Sequence, residues 1–251
     1  MIALYFGSFN PLHNGHLAVA EYVVREGIAS EVWLVVSPQN PHKSSAMLAP
    51  EEERLAMARM AVKGVHGVEV CDVEFGLPRP SYTIDTLDHL RRLYPTEQFA
   101  VLGGGDVAES MHTWKEAERL MREHTILIYP RGENDRYGEP FVILTGAPLM
   151  HHSSTEVRER IAAHDAAWRT MVPEVVAEWI EQKGLYMKEE QQSVERSLAS
   201  GKEAYARNDF GEAINHFEAA RRLNPECEEA AQWLEMIEDI LAFRHKDYYN
   251  P

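Results

Sequence analysis

Residues 1–17 read Met1-Ile-Ala-Leu-Tyr-Phe-Gly-Ser-Phe-Asn-Pro-Leu-His-Asn-Gly-His-Leu17, and the rest of the chain can be placed from them. A short apolar run, Ile2 to Phe6, meets Gly7 and the turn-forming Ser8-Phe9-Asn10-Pro11. After this Leu17, Ala20, Val23 and Val24 recur at helical spacing. The spacing predicts strand, loop and helix. At such a junction the first helical N–H groups lack internal partners and carry the positive end of the helix dipole, which makes the loop a prepared anion site. Gly7 and Gly15 allow close backbone approach, and His13 and His16, three residues apart, add imidazole donors. This combination suits a polyphosphate. His-x-x-His also occurs in metal pairs, but no Glu lies between these histidines and no cysteine cluster could complete a zinc site.

The stretch Gly7-Ser-Phe9-Asn-Pro11-Leu-His13-Asn-Gly15-His16 resembles the nucleotidyltransferases that carry a Gly-x-Phe-x-Pro-x-His-x-Gly-His signature. That resemblance is to a superfamily and leaves the substrate open.

Composition narrows the classes. The 251 residues are 45% hydrophobic and 26% charged, which suits a soluble protein with one sizeable domain and a smaller one. No signal sequence or long apolar run is expected, and Cys71 and Cys227 lie too far apart in sequence to suggest a disulfide framework, so the expected location is cytoplasmic. The net charge of −15 argues against general nucleic-acid or anionic-membrane binding. Phosphate-binding groups must then be local exceptions.

Along the chain, Glu31 to Val36 reads as a buried strand leading to Pro38-Gln-Asn-Pro-His-Lys43, and Glu51 to Val62 as a helix. Val68 to Cys71, Gln98 to Leu102, His124 to Tyr129 and Phe141 to Leu144 read as further strands. Between them lie a helix led by Ser81-Tyr-Thr83 and ending before Pro95, and a short helix over Trp114 to Met121. Strands alternating with helices imply a doubly wound parallel α/β sheet, with ligands beyond the carboxyl ends of its strands. The Gly7 and Lys43 loops would then share a crevice. Gly103-Gly-Gly-Asp106 offers small residues and a carboxylate for hydroxyls, Trp114 either core packing or a stacking wall, and Arg131 a cation after a strand. His151-His-Ser-Ser-Thr-Glu-Val-Arg158 begins a helix capped by Ser153 or Ser154, a second anion site.

Taken together, Pro38 to Lys43, Ser81-Tyr-Thr83 with Asp85-Thr-Leu87, Gly104-Gly-Asp106, Trp114, Arg131, Ser153 to Arg158, Val172-Pro173, Val176 and Leu185-Tyr186 resemble the bacterial nicotinate mononucleotide adenylyltransferase family. The likeness runs from residue 1 to about 187. It implies a Rossmann-like fold and the reaction of ATP, with Mg²⁺, and nicotinate mononucleotide to deamido-NAD and pyrophosphate. By that resemblance His13, His16, Lys43 and Arg158 are the catalytic residues. Gly7, Ser8, Phe9, Gly104, Asp106, Ser154 and Thr155 join His13, His16 and Arg158 around ATP. Lys43, Thr83, Trp114 and Arg131 hold the nicotinate nucleotide. No protein metal ligand is implied. Asn10, Gly105 and His152 stand where the family more often has Asp, Ala and Ile. Alternatives are an adenylyltransferase for nicotinamide mononucleotide or another phosphorylated acceptor, or a non-catalytic scaffold.

A polar joint, Lys188 to Val194, sets a boundary between a domain over 1–188 and a helical extension over 189–251. In the extension Gly201, Tyr205, Ala213, Phe217, Ala220 and Pro225 follow tetratricopeptide-like spacing, with a turn at Asn208-Asp-Phe-Gly211 and a third helix over about Glu228 to Phe243. One repeat buries little surface, so the extension is expected to pack on the main domain, on a second copy, or on a protein partner through residues 190–251. Its 14 acidic and 7 basic residues argue against RNA.

Overall fold

The structure, a computed structural model, describes residues 1–38, 48–130, 137–149, 152–187 and 189–247, with side chains from 193 to 240 in the last stretch. Two compact units emerge, Met1–Tyr186 and Met187–Pro251.

The first unit is built on six parallel strands: β1 (Ile2–Gly7), β2 (Glu31–Val36), β3 (Val68–Cys71), β4 (Phe99–Gly104), β5 (Thr125–Tyr129) and β6 (Phe141–Ile143). Parallel neighbours require crossovers, here supplied by α1 (Asn14–Arg25), α2 (Glu51–Val62), α3 (Thr83–Leu93), α4 (Gly105–Ser110) and α5 (Ala117–Glu123). The spatial order is β3-β2-β1-β4-β5-β6. The chain winds outward from β1 to β3, then returns to the other side of β1, so the winding reverses between β1 and β4. A crevice opens at the carboxyl ends of those two strands, where Gly7 and Gly104 lie. Covered on both faces, the strands are nearly all apolar; every residue of β4 is buried.

The core on one side of the sheet joins Leu4, Val35, Ile84, Leu87, Leu90, Val101, Met111, Ile126 and Ile128. Phe6, Val107 and Trp114 pack against it. Then α6 (Ser154–Ala162) and α7 (Glu174–Lys183) complete the unit.

Several expectations needed adjustment. The helix expected over Trp114 to Met121 begins only at Ala117; Trp114 is extended, at φ −76° and ψ 155°, after a 3-10 turn over Met111–Thr113. The glycine cluster is the end of β4 followed by the start of α4, a helix that the sequence reading did not contain. Most of the expected joint is helical, because α8 begins at Glu189.

The second unit comprises α8 (Glu189–Ala206), α9 (Phe210–Leu223) and α10 (Glu228–Asp247) around Leu198, Ala204, Ala213, Phe217, Ala220, Ala230 and Ile237. A Cβ added at Gly201 would lie 2.6 Å from the Phe217 ring, so glycine sets the close approach of α8 and α9. The turn expected at residues 208–211 is present: Asn208 is left-handed at φ 61°, and the Asp209 carboxylate caps α9 by accepting from Glu212 N–H at 3.0 Å. Both cysteines are free, and among the described residues no helix is long and apolar enough to cross a membrane.

Candidate active site

The loop from β1 into α1 is held from below. A Cβ at Gly7 would sit 3.0 Å from the Phe9 ring, and Phe9, left-handed at φ 43° and 2% exposed, fills that space. Ser8, Asn10 and His13 are also buried. Asn10 Oδ1 accepts from Ala49 N–H at 3.0 Å, which ties the loop to the entry of α2.

His13 is the N-cap of α1 in extended backbone, φ −130° and ψ 166°. His13 N–H donates to His16 Nδ1 at 3.2 Å, and His16 N–H donates to His13 O at 2.9 Å. The two rings stack at 3.7 Å between centroids. A nitrogen that accepts an N–H carries no proton of its own, so this contact places the proton of neutral His16 on Nε2. His16 therefore presents a donor on the far side of its ring, beside the open start of α1. No acidic side chain lies in that first turn to compete for the site's anion.

The second predicted anion site is joined to the first. Ser153 caps α6 by accepting from Glu156 N–H at 3.1 Å. Ser154 Oγ donates to Pro11 O at 2.9 Å, and Arg158 Nη1 donates to Asn10 O at 2.8 Å while Nη2 reaches Thr155 Oγ1 at 3.2 Å. Ser154 and Arg158 thus hold the histidine loop through its own carbonyls. Residues more than 140 positions apart in sequence form one cradle. The buried Arg158 Nε has no hydrogen-bond partner.

Arg54 was missed by the sequence reading. Glu51-Glu-Glu-Arg54 looks like a solvated helix face, yet Arg54 is 1% exposed. Its guanidinium donates to four carbonyls: Ala49 at 3.0 Å, Ser8 at 2.6 Å, Ser37 at 2.8 Å and Pro38 at 2.7 Å. The Ser8, Ser37 and Pro38 oxygens follow the ends of β1 and β2 and Ala49 precedes α2, so one side chain ties both strand ends to the start of α2. Burial pushes the Arg54 pKa below its ordinary value. Tyr186, with a buried hydroxyl, lies near the charges of Arg54 and Arg158, although burial is the larger influence and raises its pKa.

On the other side of β1, α3 begins at Thr83 behind an extended Tyr82. The buried Glu74 carboxylate, also missed, accepts from Ser81 Oγ at 2.7 Å and Thr86 Oγ1 at 2.9 Å and so fixes this helix start. Lys115, next to Trp114, binds Asp85 at 2.8 Å and stands over the Tyr82 ring at 5.1 Å. The segments carrying Thr83 and Trp114 are thereby brought together, with Trp114 half-buried on the core below. Gly104 caps α4, and Asp106 is exposed in its first turn at the crevice. Lys43 and Arg131 lie outside the described residues, as does His151. His152 is exposed, 4.0 Å from Glu156. Among the described residues no group of three or more His, Cys, Asp or Glu could hold a metal ion.

Paired histidines at a helix start, set at the switch point of a doubly wound sheet, define a nucleotidyltransferase of the cytidylyltransferase-like class, and residues 4–160 match the family described as Cytidylyltransferase-like. Curated relatives narrow the assignment. The "Probable nicotinate-nucleotide adenylyltransferase" of Flavobacterium johnsoniae is 34% identical over 192 residues, 74% of this chain and 99% of that protein. The protein of the same name from Bacteroides fragilis is 41% identical over 162 residues, 63% of this chain and 81% of the relative. The chain belongs to the nicotinate-nucleotide adenylyltransferase family. Among solved structures, a Plasmodium falciparum nicotinic acid mononucleotide adenylyltransferase complexed with NaAD superposes with a TM-score of 0.62 at 21% identity, covering 74% of this chain and 96% of that one. A likeness at that identity establishes the fold.

Proposed function

We propose that this chain transfers the adenylyl group of ATP to nicotinate mononucleotide, giving deamido-NAD and pyrophosphate in NAD biosynthesis. The observation that carries the reading is the backbone-fixed tautomer of His16, an Nε2–H donor beside the first-turn amides of α1. Family membership and the names of the relatives support the substrates.

In this reading a phosphate oxygen of nicotinate mononucleotide attacks the α-phosphorus of ATP, the α–β bridging bond breaks, and pyrophosphate leaves with the bond's electrons. No residue forms a covalent intermediate. His16 Nε2–H stabilises charge on the α-phosphate, while His13 and the amides of the α1 start hold the chain of phosphates. Ser154 and Thr155, at the start of α6, bind the departing pyrophosphate, and Arg158 and Lys43 neutralise the charge on the phosphates. Asp106 accepts from a ribose hydroxyl. The Thr83 amide binds the nicotinate carboxylate, the Trp114 ring stacks on the pyridine, and Arg131 closes the acceptor side. Mg²⁺ carried on the ATP phosphates would supply further charge neutralisation there, while the amides, imidazoles and guanidinium of this site would hold the phosphate oxygens rather than the ion. Removing one donor of this kind costs about 3 kcal/mol in the transition state, on the order of a hundredfold in rate.

The test is pyrophosphate release from MgATP and nicotinate mononucleotide. His16→Ala should lower kcat by at least ~100-fold while the protein stays folded. Unchanged turnover would remove His16 from the chemistry.

A further inference from the structure

The mechanism leaves one buried pair unused. Tyr5 Oη and Tyr129 Oη lie 2.6 Å apart, 4% and 2% exposed, although their positions differ by 124 residues. Tyr5 stands on β1 and Tyr129 on β5, with β4 between them. In register Tyr5 pairs with Leu102 and Tyr129 with Gly104, so the two side chains lie on one face of the sheet and meet where β4 offers a glycine, Gly104, on that face. The same Tyr5 ring touches the catalytic loop. Its centroid is 5.8 Å from that of His16, tilted by 60°, and 5.8 Å from that of Phe9, edge-on at 87°. Phe9 in turn meets His16 edge-on at 5.2 Å.

His16 thus stands in an aromatic enclosure made by His13, Phe9 and Tyr5. The backbone contact at Nδ1 fixes which nitrogen carries the proton, and the rings of Phe9 and Tyr5 pack against the plane of the imidazole. Phe9 is held by its own burial beneath Gly7. Tyr5 is held at its far end by the hydroxyl of Tyr129, and an O–H···O contact of this length is a well-formed hydrogen bond. Removing that hydroxyl contact takes away one of the constraints on the plane of the Tyr5 ring.

We propose that the Tyr5–Tyr129 hydroxyl pair is a positioning device for His16: it fixes the plane of Tyr5, and through that ring the direction of the His16 Nε2–H. The pair also ties β1, which leads into the histidine loop, to β5 across β4. Neither tyrosine touches the reacting atoms. The inference rests on the reading of His16 as the α-phosphate donor.

The test uses Tyr5→Phe, Tyr129→Phe and the double variant in the full chain, each of which keeps the ring and removes only hydroxyl. Expected are a roughly tenfold fall in kcat for either single variant, little change in KM for ATP, and no further fall in the double, because each change breaks the same bond. Imidazole ¹⁵N and ring-proton signals of His16 should show altered ring contacts in all three. Rates that stay at the wild-type level, or losses that multiply in the double variant, would overturn the proposal. If wild type itself releases no pyrophosphate, the adenylyltransfer reading fails, and the His16 signals alone decide on positioning: unaltered signals in the single variants refute it.

Discussion

Replacing Arg54 by Met removes a guanidinium that donates to Ala49, Ser8, Ser37 and Pro38 carbonyls, all within 3.0 Å. At about 1 kcal/mol net for each bond, four bonds amount to ~4 kcal/mol. Relief from burying a charged group that has no carboxylate among these partners returns part of this, so a loss of about 3 kcal/mol remains. For a domain of this size that corresponds to a melting temperature lower by roughly 6–12 °C. The loosened elements are the loop that places His13 and the chain leaving β2 at Ser37 and Pro38, so kcat/KM for ATP should fall by about tenfold even below the melting transition. Thermal unfolding and steady-state kinetics at 20 °C separate the two effects. Arg54→Lys should recover little, since one ammonium cannot reproduce a fork over four acceptors. A melting temperature within about 2 °C of wild type and an unchanged kcat/KM would refute the clamp.

Trp114→Ala should raise KM for the nucleotide acceptor at least about fivefold with little change for ATP, a loss of ~1 kcal/mol of stacking; equal effects on both substrates would make Trp114 a packing residue only. His124, buried with its Nε2 unpartnered and Nδ1 set 3.3 Å from Phe99 O, has a pKa lowered from 6.5 chiefly by burial. Below pH 6.5 the unfolded chain then binds a proton that the folded chain resists, so stability should fall as pH drops through about 6.5 toward 5, and His124→Asn should flatten that part of the pH dependence of the melting temperature. Gly201→Val would force a side chain against Phe217 and should cost about 1–3 kcal/mol of packing between α8 and α9, read as faster proteolytic cleavage within residues 189–247. Cleavage at the wild-type rate would contradict the crossing point.

Legibility followed the range of the interactions. The β1–α1 loop was readable because its requirements are local: a glycine against a ring, a proline turn, and two histidines within one helical turn. The Ser153 cap and the Asn208–Asp209 turn were readable for the same reason. β2, β3 and α2 matched their observed bounds, since continuous apolar runs and helical periodicity are properties of short windows. Arg54 and Glu74 were not readable: a charged residue in a charged stretch carries no sign that distant carbonyls or hydroxyls will enclose it. The Tyr5–Tyr129 pair depends on the strand order, which the sequence pattern alone does not contain. α4 was hidden because Gly-Gly-Gly-Asp disfavours a helix, and its start is set by the end of a buried strand. The resemblance brought the distant motifs into one site, and the hydrogen bonds from Ser154 and Arg158 to Pro11 and Asn10 give that grouping a physical form.

The measurement that bears most directly on the account is pyrophosphate release from MgATP by the full chain, run in parallel with nicotinate mononucleotide and nicotinamide mononucleotide. The Thr83 amide and the Trp114 ring predict a preference for the acid of about tenfold or more in kcat/KM, on the order of 1.4 kcal/mol of transition-state discrimination. Equal rates would contradict the acceptor pocket, and no release with either nucleotide would contradict the reaction itself.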